Sequence, residues 1–233
     1  MPVVATIVVA AGEGRRLGAK EAKAFVPLAG RALFLHSLDS LAGVPGLVEQ
    51  VLVVPPGRAD EVRSRHAADL ERWQVTHVVE GGARRQDSAA AGFRALSARI
   101  EVVLIHDAAR PLVRTEAAAR VVEAAAREGA ALLAVPLPDT LKREGPGRRV
   151  SESLDRRGLW CAQTPQGFRR EVYAAALERA GKDGAEATDD AMLVERSGGA
   201  VVLVEGDPAN LKVTTEADLR AAETVLAARG GTR

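Results

Sequence analysis

A seven-residue run rich in β-branched side chains, Val3-Val4-Ala5-Thr6-Ile7-Val8-Val9, opens directly into Ala10-Ala11-Gly12-Glu13-Gly14-Arg15-Arg16-Leu17-Gly18. A continuous run of this kind, bounded by glycines, predicts a parallel strand buried on both faces. Glycine lets the backbone take positive φ and approach a ligand, so several N–H groups can point at one anion. Arg16 and Lys23 add positive charge beside those amides. A polyanion such as a nucleotide triphosphate is the natural occupant, and a ligand-free glycine-rich turn is the plain alternative.

Two familiar phosphate loops are excluded by spacing. The dinucleotide fingerprint G-x-G-x-x-G fails because Leu17 stands where the third glycine belongs. No arrangement of Gly12, Gly14, Gly18 and Lys20 supplies G-x-x-x-x-G-K-[ST]. The chain has 32 basic and 31 acidic side chains, a net charge of +1, which gives no support to a nucleic-acid or membrane-surface partner. Cys161 is the one cysteine, so neither an intrachain disulfide nor a cysteine metal cluster is available. No apolar stretch approaches the roughly 20 residues of a membrane span, and no charged-then-apolar leader precedes the first strand. These features predict a soluble cytoplasmic protein. Only five of the 32 cationic residues are lysine, so a lysine here suggests a place for a compact point charge.

Strands are predicted at Val48 to Val54, Val75 to Val79, Glu101 to Ile105 and Ala130 to Val135, with helices at Leu33 to Leu41, Asp60 to Leu70, Gln86 to Leu96 and Thr115 to Glu128. Thr115 is the expected N-cap of the last of these. Beyond the arm described below, Trp160 to Gln163 and Val201 to Val204 read as strands and Asn210 to Val213 as a short extended piece. Arg170 to Arg179, Asp189 to Arg196 and Thr215 to Ala228 read as helices. Thr215 and Asp218 form a near capping box for the closing helix. The pattern predicts an α/β fold: one domain over 1–233, a Rossmann-like three-layer sandwich with a mostly parallel sheet. It breaks at Pro136. Residues 137–157, rich in Pro, Gly, Arg and Glu, are read as a protruding β-arm because Val150 and Leu154 alternate with polar residues. A long solvated loop is the other reading.

Ligands of doubly wound sheets gather at the carboxyl ends of the strands, where several stretches fall together. Gly81 and Gly82 can admit a base or ribose or form an ordinary turn, and Arg85 and Ser88 follow at a helix start. His106 and Asp107 end the fourth strand, and period-two alternation puts them on opposite sides, which excludes a catalytic pair. His106 is therefore expected to be packed or hydrogen-bonded. Asp107 is a candidate for holding Mg²⁺ or a ribose, and equally for capping the next helix.

Ala10-Ala11-Gly12-x-Gly14-x-Arg16-Leu17, with Lys23 after a short gap, resembles the signature loop of the sugar-nucleotide-type nucleotidyltransferases. His106-Asp107-Ala108-Ala109-Arg110-Pro111 narrows the resemblance to the 2-C-methyl-D-erythritol 4-phosphate cytidylyltransferases of the non-mevalonate isoprenoid pathway. One departure is Ala22, where that family usually carries proline. The resemblance implies CMP transfer from CTP to a polyol phosphate, Mg²⁺ as cofactor, and a homodimer formed through the arm. It implies Arg16, Lys23, Arg156 and Lys212 as catalytic cations, and Ala10, Ala11, Gly12, Gly14, Gly82, Arg85 and Ser88 as nucleotide contacts. Asp107, Arg110, Thr140, Thr164 and Thr188 become substrate contacts, with Asp107 the candidate metal ligand. A ribitol 5-phosphate cytidylyltransferase, a nicotinamide dehydrogenase and a non-catalytic nucleotide-binding subunit are the competing readings.

Overall fold

The computed structural model describes residues 1–12, 22–184 and 186–230. Its strands are β1 (Val4–Val9), β2 (Pro27–Leu28), β3 (Arg31–Ala32), β4 (Leu47–Val54), β5 (Val75–Glu80), β6 (Val102–Asp107), β7 (Ala130–Pro136), β8 (Leu141–Glu144), β9 (Val150–Leu154), β10 (Trp160–Arg169) and β11 (Val202–Glu205). Its helices are α1 (Leu33–Ala42), α2 (Ala59–Arg65), α3 (Ala67–Arg72), α4 (Arg85–Arg94), α5 (Thr115–Glu128), α6 (Arg170–Asp183), α7 (Asp190–Arg196) and α8 (Glu216–Gly230).

Seven strands form one sheet in the order β11-β7-β10-β6-β1-β4-β5. β1 pairs in parallel with both β4 and β6, as β4 does with β5 and β11 with β7. The central strands read as near-continuous apolar runs because helices cover both faces. Val4, Val8, Leu52 and Leu104 pack on the side of Phe34, Leu38 and Val121. Ala5, Ile7, Val53 and Ile105 pack on the side of Phe93, Phe168 and Tyr173. Helix α4 lies so close that a Cβ on Gly92 would stand 2.5 Å from the Ile7 Cγ2 methyl, so only glycine fits. From β1 the chain steps outward to β4 and β5, then returns to set β6 on the other side of β1. The crevice at the carboxyl ends of β1 and β6 is thus the topological switch point, where such sheets bind ligands.

Three local expectations are corrected. The segment from Asp60 to Leu70 is two helices, broken at His66 (φ −116°, ψ 21°), whose ring meets Phe34 edge-on at 5.0 Å. Thr115 begins α5 but does not cap it; its hydroxyl donates to the Ser40 carbonyl at 2.7 Å, satisfying an end group of α1. The predicted strand Trp160 to Gln163 is ten residues long and antiparallel to both neighbours, β6 and β7. Its ladder to β7 lapses between Ala162 and Gln166, around Pro165, which has no N–H to give. Asn210 to Val213 joins no strand, and the Val213 amide instead donates to the Ala109 carbonyl at 2.8 Å.

The arm is a hairpin. β8 and β9 pair antiparallel with Leu141 opposite Leu154, and belong to no larger sheet. Val150 at 63% relative exposure stands in solvent. The Thr215–Asp218 box also forms: the Thr215 amide donates to Asp218 at 2.8 Å, and the Asp218 amide to the Thr215 hydroxyl at 3.2 Å.

Candidate active site

At the exit of β1 the Ala10 amide donates to the Val53 carbonyl at 2.7 Å, which carries the strand into its loop. A Cβ on Gly81 would lie 2.5 Å from the Ala11 Cβ and 2.6 Å from the Ser88 hydroxyl, so the loops after β1 and β5 touch through a glycine. Ser88 is buried and closes its own loop, accepting from the Gly82 amide and donating to the Arg84 carbonyl, both at 3.1 Å. Gly14 and Arg16 lie outside the described residues. Lys23 starts a one-turn 3-10 helix, Lys23–Phe25, that follows the loop. The residue before it, Ala22, has φ −59° and ψ 138°, the backbone that proline would impose.

Asp107, at the end of β6, gathers the charges. Its Oδ1 accepts from Arg85 Nε at 2.9 Å and its Oδ2 from Lys212 Nζ at 2.6 Å. Burial alone would raise the Asp107 carboxyl; Arg85 and Lys212 overcome this and hold it well below the usual carboxylate range. Arg85 also donates from Nη1 to Asp190 Oδ2 at 2.5 Å, and the Tyr173 hydroxyl donates to Asp190 Oδ1 at 2.7 Å. Arg110 ties the loop after β6 to its neighbours through the carbonyls of Asn210 at 2.7 Å and Ala162 at 3.2 Å. With the Val213–Ala109 backbone bond, these contacts deliver Lys212 to Asp107.

On the other side of β6, His106 is fully buried. Its Nε2 meets the Arg110 carbonyl at 3.1 Å, so that nitrogen carries the proton and Nδ1 accepts from the Thr164 hydroxyl at 3.0 Å. The same hydroxyl accepts from the Asp107 amide at 3.1 Å. Burial pushes the His106 imidazole down to about 4, so it is neutral at pH 7.

The structure thus joins Arg85, Asp107, Arg110, Thr164 and Lys212 in one network, with Thr164 and most of Arg110 spent on protein partners. Thr188 is exposed just before α7, whose cap is Asp189. Thr140 and Arg156 lie on the arm, both exposed, and Arg156 Nη1 donates to the Pro138 carbonyl. Sequence reasoning missed Tyr173 and Asp190. The only hints were a lone tyrosine and a second consecutive aspartate where one suffices to cap a helix. A cavity of about 630 Å³ lined by Phe25, Arg31, Leu35, His66 and Trp73 contains none of these residues. Converging charge, more than concavity, marks the site.

Among the described residues no group of three or more His, Cys, Asp or Glu is placed to hold a metal ion. Both Asp107 oxygens, the expected metal ligands, each meet one cation, Arg85 on Oδ1 and Lys212 on Oδ2. The described side chains do not form a magnesium cage of their own.

Comparison with known proteins identifies the family. The family described as IspD, 2-C-methyl-D-erythritol 4-phosphate cytidylyltransferase, matches residues 4–228. A curated protein of that name from Symbiobacterium thermophilum is 41% identical, over 96% of this chain and 92% of the relative. A bifunctional enzyme IspD/IspF from Anaeromyxobacter sp. (strain Fw109-5) is 44% identical over 97% of this chain, which spans 58% of that protein. The crystal structure of 2-C-methyl-D-erythritol 4-phosphate cytidylyltransferase from Thermus thermophilus superposes with a TM-score of 0.77 at 35% identity, covering 97% of this chain and 98% of that one. With the family model spanning residues 4–228 and a relative of this name at 41% identity, the chain belongs to the 2-C-methyl-D-erythritol 4-phosphate cytidylyltransferase family.

Proposed function

We propose that this chain transfers the cytidylyl group of CTP to 2-C-methyl-D-erythritol 4-phosphate, giving 4-diphosphocytidyl-2-C-methyl-D-erythritol and pyrophosphate in the non-mevalonate route to isoprenoid precursors. The observation that carries the reading is Lys212 held on Asp107 at the end of β6, 2.6 Å away, at the carboxyl edge of the sheet in the family fold.

A phosphate monoester has its second pKa near about 6 and is largely dianionic at pH 7. One of its oxygens forms a bond to the α-phosphorus of CTP, the α–β bridging bond breaks, and its electron pair leaves on pyrophosphate. No base is needed to remove a proton. The site agrees, since the imidazole beside Asp107 is buried and bonded on both nitrogens. The difficulty is bringing anions together, and fixed cations meet it. Lys212 and Arg156 are assigned to the attacking phosphate, Lys23 and Arg16 to the triphosphate. Mg²⁺ belongs to the proposal as an ion carried in on the triphosphate oxygens, a common mode for this cation.

The arm is assigned to a symmetric homodimer, because an isolated two-stranded hairpin is marginal unless packed. Among the described residues no helix is long and apolar enough to cross a membrane, which is consistent with the cytoplasmic placement proposed here.

Pyrophosphate release from CTP, measured with 2-C-methyl-D-erythritol 4-phosphate, with ribitol 5-phosphate and with no acceptor, tests the reading. Release confined to the first acceptor is the expected result. Release no greater than with CTP alone would overturn it, and preference for ribitol 5-phosphate would transfer the assignment to that acceptor.

A further inference from the structure

We infer that Asp190 and Tyr173, which touch no substrate in the mechanism above, are positioning residues that decide how Asp107 is divided between Arg85 and Lys212. The inference rests on the assignment of Lys212 to the attacking phosphate.

A guanidinium beside a single carboxylate favours two parallel N–H···O bonds. Arg85 does not make them. It gives Nε to Asp107 and Nη1 to Asp190, while its Nη2 is buried with no partner among the described residues. A buried donor without an acceptor is costly, so some neighbouring group must impose the split. Asp190 is that group. It is fully buried, and its second oxygen accepts from the Tyr173 hydroxyl. Tyr173 in turn is clamped between Phe168, stacked at 4.9 Å, and Phe93, edge-on at 5.2 Å. The clamp locates the hydroxyl, the hydroxyl locates Asp190, and Asp190 draws one arm of Arg85 away from Asp107.

The consequence falls on Lys212. With Arg85 split, only Asp107 Oδ1 is taken and Oδ2 is left for the ammonium. Were Arg85 to close on both Asp107 oxygens, Lys212 would lose its anchor. Its side chain is 42% exposed, and among the described residues Asp107 is its one hydrogen-bond partner. Tyr173, inside a helix-covered face, therefore sets the position of a cation at the sheet edge through Asp190, Arg85 and Asp107. On this account Arg85, expected to contact the nucleotide, is a strut in the same chain.

The test compares Asp190→Asn and Tyr173→Phe with wild type by ¹⁵N NMR of the Lys212 ammonium and by steady-state kinetics. In wild type the ammonium gives a protected Nζ signal. Asp190→Asn is expected to abolish it and to lower kcat/KM for the polyol phosphate roughly tenfold, with Tyr173→Phe intermediate. In a Lys212→Ala background, Asp190→Asn is expected to add no further loss, whereas a merely structural residue would add its own. If Asp190→Asn does not fold, Tyr173→Phe, which removes one hydroxyl, carries the same comparison. Retention of the Lys212 signal and of kcat/KM in folded variants would overturn the inference. Should wild type fail to use 2-C-methyl-D-erythritol 4-phosphate, the proposed function falls, while the NMR comparison still decides this point.

Discussion

Lys212 Nζ donates to Asp107 Oδ2 at 2.6 Å, although the two residues are 105 positions apart in the chain. The contact makes Lys212 a fixed charge at the edge of the sheet, and a preorganised charge is what an encounter between two anions requires.

Removing that charge, or the one at Lys23, is expected to slow the reaction far more than it destabilises the fold. Lys212→Ala and Lys23→Ala should each lower kcat by roughly 10²-fold or more, the range for losing one preorganised donor. Asp107 keeps Arg85 as a partner when Lys212 is removed, so Tm should drop by only about 4 °C or less, a change of about 1 kcal/mol for a chain of this size. Stopped-assay kinetics beside a thermal melt separate the two effects, and normal turnover in either variant would remove that lysine from the mechanism.

The metal requirement should follow the nucleotide rather than Asp107. EDTA-treated protein is expected to be inactive and to recover with added Mg²⁺. Asp107→Asn should lower the rate without changing the Mg²⁺ concentration for half-maximal activity, because no described group of three or more His, Cys, Asp or Glu is placed to hold the ion. A large rise in that concentration would return Asp107 to the role of metal ligand.

Stability should fall with acid through His106. Its imidazole, pushed down to about 4 by burial, binds fewer protons in the folded state than in the unfolded chain, where the value is 6.5. Between those values ΔG of unfolding falls as pH falls, by roughly 3 kcal/mol in all. The structural event is protonation of Nδ1, which ends its acceptance from Thr164. Below that window Asp107 takes over: its contribution is present above about pH 4 and is lost as acid neutralises it. Urea melts from pH 7 to pH 4 measure the slope, and a His106→Gln variant should flatten it. An unchanged slope in that variant would assign the acid loss elsewhere.

The arm should make the active site a property of two chains. Light scattering after excision of the hairpin spanning β8 and β9 is expected to give the monomer mass. If Arg156 serves the neighbouring subunit, mixing Lys23→Ala with Arg156→Ala protein creates dimers with one doubly defective site and one intact site. About half of wild-type activity per mixed dimer should then return. No recovery, with subunit exchange verified by intact-mass spectrometry, would place Arg156 in its own chain's site.

The sequence by itself determined the features that depend on near neighbours. Strand–helix alternation, the buried apolar β1, the hairpin nature of residues 141–154 and the Thr215–Asp218 box all rest on periodicity or turn chemistry within a few residues. Opposite facing of His106 and Asp107 follows from the same alternation. Tertiary structure alone decided that β10 inserts antiparallel between β6 and β7, since alternation is blind to strand direction. It likewise decided what the site's charges do. Asp107 meets Arg85 from 22 residues away, and Arg85 meets Asp190 from 105. Only the packing of sheet and helices brings such groups together, and a buried charge is defined by the partner it finds there.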